Sequence, residues 1–326
     1  MIPKRWLVTG GSGFIGTNLI CKLLEAKAIV LNVDTKHPQV PQHLPLWNNI
    51  DIRDLSGLHR AFSEFKPDFV IHLAALADFY ASDEELFEIN VAGSKNVLEC
   101  AFESKVSRSI FVSTQYVNGP GFPFHNNFVF HPVNSYGNSK AEMEKLLRCK
   151  KYECIDWVIV RPTNVWGPYH PRFPLELWKY VKKGIYLHPA GPPVVRSYGY
   201  VKNVCQQMLL ISEAPALLVR GEVFYVSDPP VDSACVLDAF SRSFRNRGVL
   251  KVPRWILRVM AYVGDVANLF IGRAPFNSGH YRRMTTDHTS REETVWERLG
   301  YQEIPIAQGI SDTIAWLKEA YPEIYA

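Results

Sequence analysis

The chain has 326 residues, enough for one large domain or two fused domains with a substantial core. Its hydrophobic content of 47%, its charged content of 21% and a formal charge of +4 are typical of a globular protein and indicate no nucleic-acid partner. The six cysteines lack a CxxC or metal-ligand spacing, and no signal peptide is evident, which favours a cytoplasmic protein with reduced thiols and no bound metal.

The first half of the chain alternates short apolar runs with helical patterns. Runs such as "FVIHLAA" and "SIFVS" are apolar throughout, as expected of parallel strands covered by helices on both faces. The alternation predicts an α/β fold with a Rossmann-type, doubly wound parallel sheet. We predict strands over Trp6–Thr9, Ile29–Val33, Phe69–Leu73, Ser109–Ser113 and Trp157–Arg161, and helices over Phe14–Ala26, Leu55–Phe65, Glu84–Glu103 and Tyr136–Cys149.

The second half differs because prolines interrupt it from Pro162 onward. We predict a dinucleotide-binding domain over residues 1–166 and a smaller, mainly helical substrate-binding domain over residues 167–326, with segments near 195–227 returning to the first sheet. The predicted elements are a strand over Val223–Val226 and helices over Val201–Ile211, Ser233–Phe244, Trp255–Asn268, Thr289–Leu299 and Ile306–Ala320.

The apolar segment Trp255–Ile271 raises the question of whether the chain contacts a membrane. It carries Arg258, Asp265 and Asn268, and it is shorter than the ~20 apolar residues that span a membrane. An amphipathic, mostly buried helix is favoured over peripheral membrane contact.

A glycine-rich turn, "VTGGSGFIG", follows the first strand and begins the first helix. In a G-x-x-G-x-x-G turn, Gly10 serves the tight turn, Gly13 lets a pyrophosphate approach the backbone, and Gly16 lets the helix pack on the sheet. The amide groups at the helix start, around Phe14 and Ile15, then favour an anion. The turn predicts a dinucleotide site.

An acidic residue after the second strand supports this site. Asp34 lies 18 positions after Gly16, near the ~20 expected for a carboxylate that binds the adenine ribose. Such a carboxylate favours NAD, because it repels the 2′-phosphate of NADP, although Lys36 and His37 keep NADP open. The alternative is that Asp34 is a turn residue.

The stretch "SYGNSKAEMEKLL" places Tyr136 and Lys140 four residues apart on one helix face. A neighbouring ammonium stabilises a phenolate, so we expect Lys140 to lower the pKa of Tyr136 toward neutrality and make the phenol an acid/base. The alternative is that Tyr136 and Lys140 are two exposed side chains on a surface helix with no catalytic role. The glycine turn earlier in the chain favours the catalytic interpretation.

With these motifs, the chain resembles the extended short-chain dehydrogenase/reductase family, particularly its nucleotide-sugar epimerases and reductases. The resemblance covers nearly the whole chain, with the motifs in the family's order. They are "TGGSGFIG", "DIRD", "HLAA", "NVAGSKNVLE", "STQYVNG", "YGNSK" and "RPTNVWGP", with looser matches at "RSYGYVKNV" and "YRRMTTD".

The resemblance implies roles for particular residues. Thr114, Tyr136 and Lys140 would be catalytic, with the Thr114 hydroxyl also bonding the substrate. The cofactor would be contacted by the glycine turn and Asp34, by Tyr136 and Lys140, and by Asp51, Ile52, Leu73, Ala74, Ala75, Asn90 and Pro162. The substrate's sugar or diphosphate would be contacted by Asn164, Arg196 and Arg282, or Arg283 in its place.

Departures from the family pattern narrow the reaction. Gln115 and Tyr116 stand where sugar dehydratases carry an Asp-Glu pair, so dehydration and decarboxylation are disfavoured. The first hypothesis is 4-epimerisation of a nucleotide sugar with NAD. The alternatives are an NAD(P)H-dependent nucleotide-4-keto-sugar reductase, a 3β-hydroxysteroid-type dehydrogenase, and a non-catalytic NAD-binding regulator. Asn118 and Ala77 also depart from the pattern and leave the subfamily open.

We expect a nucleoside-diphosphate sugar as substrate and a homodimer as the assembly. The family commonly dimerises by packing two helices of each subunit. The matching helices here carry apolar residues on more than one face, namely Leu86, Phe87, Val97, Leu98, Met143, Leu146 and Leu147.

Overall fold

Strands and helices alternate along the chain in the computed structural model, which describes residues 3–78, 81–120, 127–272, 274, 276–289, 295–300 and 302–326. The strands are β1 (Arg5–Thr9), β2 (Ile29–Val33), β3 (Trp47–Asn48), β4 (Phe69–His72), β5 (Arg108–Val112), β6 (Trp157–Pro162), β7 (Asn164–Trp166), β8 (Leu187–Pro189), β9 (Val195–Arg196), β10 (Tyr198–Tyr200), β11 (Val223–Val226), β12 (Val231–Asp232) and β13 (Leu250–Val252).

The helices include several short ones. They are α1 (Phe14–Glu25), α2 (Leu55–Phe65), α3 (Asp83–Phe87), α4 (Ser94–Glu103), α5 (Ser135–Leu147), α6 (Lys179–Lys183), α7 (Val201–Glu213), α8 (Ala216–Val219), α9 (Ser233–Arg245), α10 (Arg254–Ile271), α11 (Ser278–Thr285), α12 (Val295–Leu299), α13 (Ile306–Ala320) and α14 (Pro322–Tyr325). A π-helical segment, Glu88–Gly93, joins α3 to α4.

Seven strands form one parallel sheet in the order β11-β6-β5-β4-β1-β2-β3. The chain therefore builds outward from β1 in one direction through β2 and β3, and in the other through β4, β5, β6 and β11. The strand order reverses between β1 and β4, and in open α/β sheets ligands bind at the carboxyl ends of the strands at such a point. The predicted Rossmann-type, doubly wound fold is confirmed.

The sheet forms because its strands are apolar on both faces. All five residues of β5 and all six of β6 are buried, which matches strands covered by helices on each side. Helix α2 contributes Leu58 and Phe62 to this core, and the Asp54 side chain caps its first turn through the amide of Gly57. The core thus holds β1 and β4 rigidly at the point where the strand order reverses.

The chain divides into two compact units. The first contains Met1–Tyr169, Gly199–Asp228 and Ser290–Ile304, and the second contains His170–Tyr198, Pro229–Thr289 and Pro305–Ala326. The sequence placed the boundary near Gly167 and expected a return to the first sheet near 195–227. The structure also assigns Ser290–Ile304 to the first unit, where the described helix α12 packs on α7 and β11.

The second unit is mainly helical and contains α10, the segment that the sequence predicted to be mostly buried. That prediction is wrong. Leu257 and Ala261 are buried, but eight large apolar side chains of this helix are exposed. Among the described residues, no helix combines the length and the hydropathy needed to cross a membrane.

Two other predicted helices differ from the structure. The helix predicted over Glu84–Glu103 contains the π-helical segment, a departure that hydrophobic periodicity does not signal. The helix predicted over Thr289–Leu299 falls partly outside the described residues, and its described part is α12.

Candidate active site

The backbones at the ends of β1 and β4 approach each other closely at the reversal of strand order. Gly10 has a φ of +73°, and a Cβ placed on it would lie 2.5 Å from the backbone nitrogen of Ala74. A larger residue would be both strained and in collision there. Leu73 donates its amide to the carbonyl of Thr9 at 2.9 Å, so the predicted residues Leu73–Ala75 lie beside the glycine turn.

The glycine turn presents the start of α1 to this crevice. A Cβ on Gly16 would collide with the carbonyl oxygen of Gly10, which shows that the helix packs directly on the turn. Gly13 is the N-cap and has no side chain to cover the amides of the first turn, which begins at Phe14 and Ile15. A helix start of this kind favours a phosphate group. The turn therefore fits the pyrophosphate of a dinucleotide.

Asp34 lies immediately after β2 and is fixed beside the same turn. One carboxylate oxygen accepts the amide of Ser12 at 2.9 Å, and the other accepts the amide of Lys36 at 2.9 Å. The side chain is half-buried, so one edge of the carboxylate remains available. This placement suits a carboxylate that binds ribose hydroxyls.

Asp51 and Ile52, which the resemblance placed beside the adenine, have different surroundings. The Asp51 carboxylate accepts a bond from Arg53 Nη2 at 2.7 Å, and the hydrogen bonds from Arg53 lower the pKa of this carboxyl group. The Ile52 side chain is buried in the core against Gly93. A contact between Ile52 and a cofactor would therefore use its backbone, and the role of both residues stays a prediction.

A buried chain of hydrogen bonds begins at the end of β1. Thr9 Oγ1 lies 2.6 Å from His72 Nδ1, His72 Nε2 lies 2.8 Å from Ser94 Oγ, and Ser94 Oγ donates to the carbonyl of Asn90 at 2.6 Å. Because Ser94 uses its single proton on Asn90, His72 donates from Nε2 and accepts at Nδ1. Burial, and secondarily the charge of Lys140, hold the pKa of His72 well below its usual range, so the ring is neutral.

The same chain continues to helix α5. The Asn90 side chain binds both backbone polar groups of Leu76 and donates to Ser139 Oγ at 3.0 Å, and Ser139 donates to the carbonyl of Tyr136 at 2.9 Å. Asn90 lies on the π-helical segment, a type of irregularity that is frequent at functional sites. This hydrogen-bond relay (Thr9, His72, Ser94, Asn90, Ser139) ties the glycine turn to the helix that carries Tyr136 and Lys140.

Thr114 and Tyr136 are brought together by the loop after β5 and the first turn of α5. The Thr114 hydroxyl lies near the Tyr136 phenol, where hydrogen bonding to it lowers the pKa of Tyr136. A Cβ on Gly137 would collide with the carbonyl oxygen of Tyr116, so this glycine lets the first turn of α5 lie directly on that loop. The Asn134 side chain caps the helix through the amide of Gly137 at 2.7 Å. Two of the three predicted catalytic side chains are thus neighbours.

Burial acts on both titratable groups of the predicted pair. It raises the pKa of Tyr136 to about 12, with a further increase from Tyr116 and a decrease from the Thr114 hydrogen bond. It lowers the pKa of Lys140 to about 8, opposed by the charge of Glu144. The expected decrease of the Tyr136 pKa toward neutrality is therefore not found, because loss of hydration outweighs the hydrogen bonding of Thr114. Near pH 7 both groups are protonated.

The next turn of α5, on the same face as Tyr136 and Lys140, is anchored by a buried ion cluster. Arg161 donates from Nε and Nη2 to the two carboxylate oxygens of Glu144 at 2.9 and 2.8 Å, and Arg148 donates to Glu144 at 3.2 Å. Arg161 also reaches the Tyr225 hydroxyl at 3.1 Å. This cluster joins α5 to β6 and β11 and places a negative charge one helical turn from Lys140.

Pro162 and Asn164 lie where β6 ends and β7 begins. Pro162 is the last residue of β6 and is paired with Val226 of β11. Asn164 accepts a bond from the Gln115 side chain at 3.2 Å, so Gln115, which replaces the dehydratase acid, contacts the predicted substrate residue.

The predicted arginines lie in the second unit. Arg196, on β9, donates to the carbonyl of Thr286 at 3.1 Å, and within the described residues its buried Nε has no hydrogen-bond partner. Arg282 and Arg283, on α11, have exposed side chains. Their assignment to substrate remains a prediction.

Sequence reasoning missed several residues of the site. His72, Ser94 and Ser139 carry the hydrogen-bond relay, but small polar residues within apolar runs give no periodic signal. Gly137 in "YGNSK" could have been identified from the sequence, since a glycine in the first turn of a helix signals close packing. The ion cluster of Glu144 and Arg161 joins residues that are 17 apart in the sequence, which composition does not reveal.

Comparisons with known proteins agree on the kind of protein. The profile of the NAD dependent epimerase/dehydratase family matches residues 6–227. The UDP-glucose 4-epimerase of Vibrio cholerae is 32% identical over 239 residues, which cover 70% of this chain and 71% of that protein.

Another relative and a solved structure extend the comparison. A 4-hydroxy-2-methyl-3-oxo-4-farnesyl-3,4-dihydroquinoline-1-oxide ketoreductase of Stigmatella aurantiaca is 29% identical over 274 residues, covering 80% of each chain. The crystal structure of Thermus thermophilus UDP-glucose 4-epimerase in complex with NAD aligns with a TM-score of 0.71 and 25% identity, covering 97% of this chain and 99% of that chain.

Proposed function

This chain belongs to the NAD dependent epimerase/dehydratase family, and we propose that it catalyses 4-epimerisation of a nucleoside-diphosphate sugar. The resemblance to extended short-chain dehydrogenases/reductases is confirmed, and the protein is an NAD-dependent epimerase or oxidoreductase. The observation that carries the finer proposal is the placement of Thr114 near Tyr136, whose helix also holds Lys140 and is joined by the hydrogen-bond relay to the glycine turn.

The residues present fit NAD. The approach of Gly10 to Ala74 leaves bare backbone at the carboxyl ends of β1 and β4, and α1 begins there with an N-cap that has no side chain. We propose that the first turn of α1 binds the pyrophosphate and that Asp34 binds the adenine ribose. When bound, NAD supplies a hydride acceptor whose positive ring in the oxidised form favours ionisation of a neighbouring phenol.

Tyr136 is the proposed acid/base. Once ionised, a change that oxidised NAD in the site would favour, Tyr136 takes the proton of the sugar hydroxyl as hydride leaves the sugar carbon, and it returns this proton when the ketone is reduced on its other face. Thr114, which lies near the Tyr136 phenol, orients the same substrate oxygen. Lys140 is protonated near neutral pH, so its charge favours the phenolate at the moment when Tyr136 holds no proton. No carboxylate stands at Gln115 or Tyr116, which disfavours elimination of water.

The substrate assignments for Asn164, Arg196 and Arg282 belong to the same proposal. Asn164 presents an amide held by Gln115, and the guanidinium of Arg196, whose buried Nε has no hydrogen-bond partner among the described residues, suits phosphate oxygens.

A substrate panel tests the reaction. The purified protein is denatured to identify any released nucleotide, and the native protein is incubated with UDP-, GDP-, CDP- and dTDP-sugars without added NAD(P)H. Conversion to a diastereomer with retained NAD is the expected result. Absence of conversion for every sugar, with NAD bound, contradicts epimerisation.

Single reduction of a ketone is the second candidate, favoured by the similarity to the Stigmatella ketoreductase. Hydride would be delivered once, and Tyr136, with its pKa raised to about 12, is well placed to donate the proton. Stoichiometric consumption of NAD(P)H with a 4-keto sugar, or with a 3-ketosteroid, supports this candidate. Catalytic turnover without consumption supports the first.

We also propose a homodimer and a cytoplasmic location. The six cysteines are unpaired, which supports the latter. Five of the seven apolar residues on which the dimer prediction relied are buried within the chain, among them Leu86, Val97 and Met143, whereas Phe87 is 36% exposed and available to a partner. Light scattering that gives the monomer mass at micromolar concentration would contradict the dimer.

A further inference from the structure

Helix α10, in the second unit, packs on the protein by only a narrow stripe. Leu257 and Ala261 are buried, and a Cβ on Gly264 would collide with the carbonyl oxygen of Phe276. Asp265 is tied to the start of α11, accepting the Ser278 amide at 3.1 Å. These contacts fix the helix in place with one side toward the protein.

The side of α10 that faces away from this stripe is apolar. Trp255, Tyr262, Leu269 and Phe270 are 68%, 68%, 81% and 83% exposed. The exposed apolar residues recur at spacings of three and four, which places them on one face of the helix. They are Trp255, Val259, Tyr262, Val263, Val266, Leu269 and Phe270, with Met260 at the edge. We call these residues the apolar face of α10.

The apolar face of α10 is larger than the exposed apolar area expected on an ordinary protein surface. Single exposed hydrophobic side chains are common, but a contiguous row along an 18-residue helix, about 27 Å long, marks an interaction site. Tyr and Trp are the residues that favour an interface between water and hydrocarbon, because each joins an apolar ring to a polar group.

The segment that leads into α10, together with the first turns of that helix, is basic, and the acidic residue of α10, Asp265, is the one that accepts the Ser278 amide. The sequence from 242 to 258 holds six basic residues and no acidic residue, whereas the whole chain has a formal charge of only +4. Arg247, Lys251 and Arg258 are exposed. Arg258 lies on α10 itself, with its guanidinium 5.7 Å from the Tyr281 ring. Like charges would oppose a second copy brought against this region, whereas anionic headgroups complement it.

We propose that α10 docks the protein on an anionic phospholipid surface, lying in the interface with its apolar face among the acyl chains and the neighbouring basic residues among the headgroups. An amphipathic helix with aromatic and leucine residues on one side and basic residues beside it has the composition for this mode of binding. The helix lies on the membrane and does not cross it. This proposal is independent of the reaction catalysed.

Vesicle flotation tests the proposal on the full chain. We expect the protein to float with vesicles of phosphatidylcholine containing about 30 mol% phosphatidylserine, and to float much less with phosphatidylcholine alone. Raising the salt to about 1 M, where the Debye length is ~3 Å, should release much of it. Arg258→Ala should weaken binding by about fivefold.

Substitutions identify the surface. Leu269→Glu combined with Phe270→Glu should reduce the bound fraction at least about tenfold. Leu217→Glu is the matched control, because Leu217 is 95% exposed but lies on α8, and it should bind as the wild type does. Circular dichroism checks that each variant is folded. Trp255→Phe should remove a blue shift in tryptophan emission that accompanies vesicle binding.

Three outcomes would overturn the proposal. The first is no flotation with phosphatidylserine vesicles at low salt. The second is equal flotation of the wild type and the doubly substituted α10 variant. The third is a dimer, seen by light scattering without vesicles, that this variant converts to a monomer, since the apolar face would then be covered by a second copy.

Discussion

Helices α5 and α10 depart from the usual distribution of residues in opposite directions. Helix α5 buries Lys140 and Glu144, whereas α10 exposes Trp255, Leu269 and Phe270. Charged side chains are almost never fully buried unless they are paired, and large exposed apolar rows are rare. The buried Glu144 is paired with Arg161 and Arg148, whereas the apolar face of α10 is left exposed. This comparison supports the proposals of internal chemistry on α5 and of binding to something outside on α10.

Removing the proposed acid/base from α5 should have the largest effect. Tyr136→Phe should reduce the turnover rate by about 10²–10⁴-fold, because the phenol oxygen moves the proton while the ring only fills space. Retention of NAD should be nearly unchanged. Steady-state kinetics, with the cofactor measured after denaturation, checks both. A variant with nearly full activity would show that Tyr136 is not the acid/base.

Breaking the ion cluster tests what holds α5. Glu144→Gln leaves Arg161 buried without its counter-charge, and we expect it to lower the free energy of unfolding by about 3–5 kcal/mol. Glu142→Gln is the control on the same helix, because Glu142 forms a surface pair with Lys145, and it should cost no more than about 1 kcal/mol. Urea denaturation measures both. Equal losses would mean that the cluster does not anchor the helix.

The difference between the two helices also shows what the sequence could and could not predict. Strands β2 and β11 begin and end where periodicity placed them, because apolar runs bounded by turns report burial directly. The position of Asp34 beside the glycine turn was predictable, because its distance from Gly16 in the sequence follows from the length of one helix and one strand. The hydrogen-bond relay was not, because its members come from separate segments that only the sheet brings together.

The surroundings of α10 were not predictable for a related reason. Periodicity shows that a helix has an apolar face, but it does not show whether the chain supplies a partner for it. In the same way, the four-residue spacing of Tyr136 and Lys140 predicted their shared face, but it did not indicate how strongly burial would act on each pKa.

The buried ammonium of Lys140 should make the stability of the protein depend on pH. Its pKa is lowered from 10.5 to about 8 in the folded protein, so between these values the unfolded chain binds more protons. Stability contributed by this group should therefore rise by about 2–3 kcal/mol as the pH increases from 8 to 10.5 and stay constant below that window. Unfolding of the wild type and Lys140→Met across this range checks the sign. Parallel curves would show that Lys140 is not destabilised by burial.

Ser94 tests the hydrogen-bond relay with a smaller expected effect. Ser94→Ala removes the acceptor of the His72 Nε2 proton and leaves that donor buried, which should cost about 1–3 kcal/mol of stability. Ser63→Ala is the control, because the Ser63 hydroxyl makes an exposed bond to the carbonyl of Arg60 and its loss should change little. A loss at Ser94 no larger than that at Ser63 would show that the relay is dispensable.

The smallest expected effect on stability belongs to the apolar face of α10. Leu269 and Phe270 bury little in the folded chain, so replacing both with glutamate should change the free energy of unfolding by no more than about 0.5 kcal/mol for each position. The same change on α5 at a buried apolar residue such as Met143 would be severely destabilising, because a charge would enter the core. Urea denaturation compares the two variants. If glutamates on α10 destabilised the protein as much as one at Met143, the apolar face would be serving the fold, and the contrast between the two helices would fail.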